Sequence, residues 1–288
     1  TIGDAVIDSL EFDTMTGKTP NITPISGNVY AIVYTGDVYA GSVVTIEVAA
    51  NGQITDTVID SDIFDTVKGN TPRLIPISGD IYAVAYSGDD DDGMLKTFTI
   101  STAGVIADEG EPEESYDFDS LEYDLLMGKT PSIIQIDDSV YAVAYAGDGD
   151  DGFLVTLDIS STGPIADSII DSLEYDSVKG KTPDIIHVSG TTYAIAYSGD
   201  GDVGKLVSID IQTDGSIGAA VIDSLQFVSS KGKEPSIVYV SGNVYAVAYN
   251  DDQGAGNPKP GVLSTVEILA DGSIGAAVID SLEFDAVQ

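Results

Sequence analysis

Three observations predict an all-β fold built from repeated four-stranded units. Tyr-Ala-x-Ala-Tyr or a close variant recurs five times, starting at Tyr30, Tyr82, Tyr141, Tyr193 and Tyr245. Its large/small alternation has the period of two that marks a strand. A Thr-Pro or Glu-Pro pair precedes each copy, with prolines 20, 72, 131, 183 and 235 spaced 52, 59, 52 and 52 residues apart. Turn residues interrupt the chain throughout, and the i, i+3, i+4 apolar spacing of a helix is absent. Four antiparallel strands repeating every ~40–50 residues form a propeller blade. The predicted fold is therefore a five-bladed β-propeller of four-stranded antiparallel blades; a β-solenoid is the alternative.

Each unit divides into strands a to d. Strand a follows the proline, and a Ser-Gly-Asn or Ser-Gly-Asp turn (26–28 and 78–80) leads to strand b, the Tyr-Ala-x-Ala-Tyr segment. Gly with Asn or Asp supplies the positive φ of a tight hairpin. A Gly-Asp loop leads to strand c, for example residues 154–159, and an Asp-Gly or Ser-Thr-Gly turn leads to strand d. Strand d carries Val-Ile-Asp-Ser-Leu-Glu-Phe or a relative at 6–12, 58–64, 118–123, 170–175, 221–227 and 278–284. That is six copies of strand d for five sets of a, b and c. The expected organisation is one domain, 1–288, with repeats at 14–64, 65–123, 124–175, 176–227 and 228–284, and residues 1–13 as a surplus outer strand.

The period and strand pattern resemble those of β-propeller repeat proteins over essentially the whole chain. The paired glycines of kelch repeats, the Trp-Asp pair and the full Asp-x-Asp-x-Asp-Gly loop of FG-GAP repeats are not present, so the resemblance implies the fold and no family's site.

Composition limits the partners. The chain has 288 residues, 48 acidic against 11 basic, for a net charge of −37. Such a polyanion repels nucleic acid and anionic membranes, and its apolar runs are too short for a bilayer span. Zero cysteines exclude disulfides, and the acidity suits either high salt or divalent cations.

Strand parity places the d–a and b–c loops on one face. The d–a loops carry Lys-Gly-Lys-Thr-Pro or a variant and the b–c loops carry aspartates, so eight of the ten lysines share a face with the densest carboxylates. The expected ligand face comprises Lys18, Lys129, Lys181, Lys233, Asp251 and Asp252. Calcium is the expected cofactor, held by oxygens of Asp89, Asp91, Asp148, Asp150, Asp151, Asp200 and Asp202. No bidentate glutamate follows, and solvated turns with surface ion pairs are the competing explanation. Two longer loops, at 109–115 and 251–260, break the repeat.

The single histidine, His187, has no nucleophile pattern around it, and near-identical blades argue against a specialised site. The expectation is thus a non-enzymatic extracellular or cell-surface module that binds glycan or protein, with self-association by strand addition through the surplus strand. A glycosidase-like propeller using paired carboxylates is the alternative; a structural subunit of a surface layer or filament is a third.

Overall fold

The computed structural model describes residues 6–106, 119–252 and 260–284. Its strands form five sheets of four, each antiparallel and in simple chain order, the architecture of a five-bladed β-propeller. Blade one is β1 (Lys18–Ser26), β2 (Val29–Thr35), β3 (Gly41–Glu47) and β4 (Asp60–Asp65); blade two is β5 (Asn70–Ser78), β6 (Ile81–Ser87), β7 (Gly93–Thr99) and β8 (Asp119–Asp124). Blade three is β9 (Lys129–Gln135), β10 (Val140–Ala146), β11 (Gly152–Asp158) and β12 (Asp171–Asp176). Blade four is β13 (Lys181–Ser189), β14 (Thr192–Ser198), β15 (Gly204–Asp210) and β16 (Asp223–Val228). Blade five is β17 (Lys233–Ser241), β18 (Val244–Asn250), β19 (Gly261–Glu267) and β20 (Asp280–Glu283). Contacts divide the chain into two compact units, residues 1–125 with 159–167, and residues 126–158 with 168–288. The insertion at 109–115 and residues 253–259 of the long blade-five loop lie outside the described residues.

In blades two to five the second strand is the most buried; in blade one the second and third strands share the core. β10 and β14 are buried along their whole length, because a strand covered on both faces must be apolar on both. Nine of the ten repeat tyrosines are less than 9% exposed, so they pack blades together and are no sugar platform. Their ring partners are the strand-d aromatics: Phe64–Tyr86 and Tyr175–Tyr197 meet edge-on at 5.2 and 5.1 Å, and Phe227–Tyr249 is tilted at 5.3 Å. The third strand supplies a buried hydroxyl to the next blade. Thr45, Thr97, Thr156 and Ser208 donate to the carbonyls of Gly104, Gly163, Gly215 and Gly272.

Close backbone approach explains the glycine between the paired lysines. A Cβ on Gly180 would sit 2.2 Å from the Gly152 Cα, and one on Gly232 would sit 2.5 Å from the Gly204 Cα. Only glycine at these positions lets consecutive blades meet.

The six strand-d copies are not equivalent. The copy at 278–284 supplies β20 and completes blade five. Residues 6–13 belong to no strand. Among the described residues no helix is long and apolar enough to cross a membrane.

Candidate functional site

Strand register brings the lysine and aspartate loops to one end of each blade. The lysine that opens a first strand pairs with the last residue of the second: Lys18 with Thr35, Lys129 with Ala146, Lys181 with Ser198 and Lys233 with Asn250. The aspartates follow immediately. Asp89 and Asp91, Asp148 and Asp150, and Asp200 and Asp202 lie in short 3-10 turns, with Asp151 just after the second of these.

Each turn is fixed by a left-handed residue: Asp91 has φ +70°, Asp150 +65° and Asp202 +63°. Their carboxylates meet ammonium groups. Lys68 Nζ lies 2.6 Å from Asp91, and Lys179 Nζ 3.1 Å from Asp150. Asp202 gathers three lysines: Lys181, which donates a short hydrogen bond, Lys231 at 3.5 Å and Lys233 at 3.7 Å. The Lys181 hydrogen bond is the main reason the Asp202 carboxyl sits below its usual range, reinforced by the other two charges. Lys233 also reaches Asp252 at 3.3 Å, which raises its own pKa. Asp251 caps the backbone N–H of Lys231 at 3.1 Å. In blade one, where Tyr39 replaces the aspartate, the Lys18 ammonium lies 5.6 Å from the Tyr39 ring.

This chemistry does not fit calcium. A calcium ion needs 6–8 oxygens, and among the described residues no group of three His, Cys, Asp or Glu is placed to hold a metal. At Asp91, Asp150 and Asp202 a lysine ammonium occupies the position a cation would take.

A second feature marks the same end of the blades. The residue before each repeat proline is left-handed: Thr19, Thr71, Thr130 and Thr182 at φ +47° to +49°, and Glu234 at +50°. Register shifts in each first strand across this pair, a bulge that turns one side chain away from the sheet. Positive φ at a β-branched residue is strained, and such strain collects at functional positions. Four blades place threonine there; the fifth places a carboxylate.

Glu234 faces blade four. With Lys181, Thr182, Ser198, Asp202 and Lys233 it lines an open cavity of about 200 Å³ between blades four and five. Two carboxylates and two lysines therefore converge on one small cleft. The sequence-predicted Lys181, Lys233 and Asp202 all belong to it, with Asp252 behind Lys233. Lys18 and Asp89, Asp91, Lys129, Asp148, Asp150 and Asp151 stand on other blades. Glu234 was the residue the repeat reading passed over; its signal is the single Glu-Pro among four Thr-Pro pairs. His187 lies at the opposite end of its strand, 3.0 Å from the Gly190 carbonyl and against Tyr193.

The chain matches no protein-family model and no curated protein in sequence. Its fold does match solved structures. A periplasmic gluconolactonase of Pseudomonas aeruginosa is 16% identical with a TM-score of 0.59, over 89% of this chain and 68% of that one. A protein assigned as a 6-phosphogluconolactonase from Bacteroides uniformis is 9% identical with a TM-score of 0.62, over 89% of this chain and 69% of that one. A protein assigned as an exo-β-1,3-galactanase from Bifidobacterium bifidum is 10% identical with a TM-score of 0.51, over 93% and 94%. At such identities the likeness establishes the fold.

These neighbours correct the expectation of a non-enzymatic binding module, because each carries the name of an enzyme that acts on a sugar derivative. The physical reason for the error is local. Blade uniformity was read from strand residues, which serve packing, whereas the cleft residues sit at strand ends where blade five departs from the repeat.

Proposed function

We propose that the chain is a carbohydrate-active hydrolase of the glycosidase type, acting at the cleft between blades four and five. The observation that carries this reading is the placement of Glu234, the one glutamate at a position where the other four blades have threonine, beside Asp202 and two lysines in one cavity. Hydrolysis at an anomeric carbon needs one carboxyl group to give a proton to the departing oxygen and one carboxylate to attack or to activate water. Asp202, kept ionised by Lys181 and its neighbours, suits the second task. Glu234 is left for the first. The lysines would steer hydroxyl groups or an acidic substituent of the sugar. A cavity of about 200 Å³ is smaller than the ~300–1,000 Å³ of a drug-sized ligand pocket, so one sugar ring is the matching occupant.

Two of the structural neighbours are named as lactonases, which supports a second substrate, a sugar lactone, with the same carboxylate activating water. A periplasmic setting accords with the printed name of one neighbour, and a glycan partner with that of another. Calcium could enter this reading only as an accessory, since the cleft's cationic groups are lysines.

The test is turnover of a panel of aryl glycosides and aldonolactones by the wild type, E234Q and D202N. General acid–base roles predict losses of about 10²–10⁴-fold in kcat for each variant. Hydrolysis that persists unchanged in both would remove the proposed site.

A further inference from the structure

The outer strand of each of blades one to four docks on the following blade through one repeated device. Asp60, Asp119, Asp171 and Asp223 each accept the backbone N–H of the next residue through Oδ1. Through Oδ2 they accept the N–H of Ile106, Ile165, Ile217 and Ile274 on the following blade's c–d loop, at 2.8–2.9 Å. The strand-d aromatics Phe64, Tyr123, Tyr175 and Phe227 are buried at 4–7% exposure.

Residues 6–13 reproduce this device on blade one without being a strand. Asp8 accepts the N–H groups of Ser9 and Ile54 at 2.8 and 2.9 Å. Leu10 and Phe12 pack on the cluster of Ile32, Tyr34, Val44 and Ile46, and Phe12 meets Tyr34 edge-on at 5.1 Å. The segment 278–284, which contains β20, carries the same seven residues, VIDSLEF, as the chain carries at 6–12. There the device is exposed. Asp280 accepts the N–H of Ser281 at 2.8 Å, and Leu282 and Phe284 are each 62% exposed.

We infer that the exposed face of β20 docks on blade one of a second copy of this chain, taking the place of that copy's residues 6–13. The occupant follows from identity of sequence: blade one already binds this heptapeptide, and blade five presents it preformed in a sheet. The exchange conserves hydrogen bonds and apolar contacts. It frees a segment that pairs with no strand, so the ordering cost falls. The contact is heterologous, so copies add head to tail. A charge of −37 per chain opposes it at low salt and less so at high salt.

The test is sedimentation velocity of the full chain, a variant lacking residues 1–13, and both with L282D/F284D, at rising concentration in 1 M NaCl. Wild type should gain mass with concentration, and the truncated chain should do so at a concentration at least tenfold lower. L282D/F284D should hold either background at single-chain mass, and a synthetic VIDSLEF peptide should dissolve the truncated chain's assemblies. F12A, which loosens the bound segment by one side chain, serves if the truncated chain loses its circular-dichroism signature. A single-chain mass for wild type and for the loosened variant at the highest concentration overturns the inference, as does association that survives L282D/F284D.

Discussion

The junction between blades three and four and the junction between blades four and five share one backbone plan and differ in chemistry. At the first, Asp176 ends β12 and accepts from Tyr197 Oη at 2.9 Å, Lys205 Nζ at 2.7 Å, and the N–H groups of Val178 and Lys179. Burial alone would raise the Asp176 pKa, but these donors together hold it below the usual range. At the second, Val228 takes the aspartate's place and Val262 that of Lys205; Tyr249 Oη turns to Ser264 at 3.3 Å, and Asp251 caps Lys231 instead. A buried charge network and an apolar contact thus serve the same packing. The strand scaffold tolerates either, and the residues free to diverge are those at the cleft, where Thr182 gives way to Glu234.

Perturbing matched positions sharpens this comparison. The largest expected effect is shared. Gly180→Ala and Gly232→Ala each push a Cβ into backbone that cannot move aside, and each should cost about 3 kcal/mol in denaturant unfolding, the upper end for overpacking. Next, Asp176→Val should cost about 2 kcal/mol, below the usual buried-pair loss because Lys205 is partly exposed. Adding Lys205→Val should recover part of that loss, because it installs the apolar version already used between blades four and five. A double variant less stable than D176V alone would show that the two junctions are not interchangeable.

Smaller effects separate strain from function. Thr182→Gly should stabilise by about 0.5–1 kcal/mol, since glycine accepts positive φ without strain. Glu234→Gly should stabilise similarly and abolish turnover. Asp8, Asp176 and Asp202 all have pKa values below the ordinary 3.8. Their stabilisation is therefore complete above about pH 4 and disappears as pH falls through the lowered values. Amide exchange at Val178 and Lys179 should accelerate in that acid range before exchange at Tyr249 does. The smallest effect concerns cations: calcium should raise Tm no more than monovalent salt of equal ionic strength, because lysines already pair with Asp91, Asp150 and Asp202. A calcium-specific rise at low millimolar concentration would contradict that placement.

The repeat, the blade count and the face shared by Lys181, Lys233 and Asp202 were legible in the sequence, because hairpin chemistry and period-two alternation are local signals. Asp202's three lysines were not, since Lys231 and Lys233 come from the next blade. The need for glycine at 180 was not legible either, since it comes from the approach to Gly152. Glu234 was legible only as a broken Thr-Pro pattern; its meaning depends on a left-handed φ and on which blade it faces. Counting finds six copies of strand d for five blades, but only burial shows that the copy at 6–12 is packed and the copy at 278–284 is exposed.

The central claim is that sugar is bound between blades four and five. A crystal structure of E234Q soaked with an uncleaved glycoside tests it most directly. The account predicts one sugar ring within hydrogen-bond reach of Asp202 and residue 234, bordered by Lys181 and Lys233. A sugar ordered at any other blade junction, with this cleft empty, would contradict it.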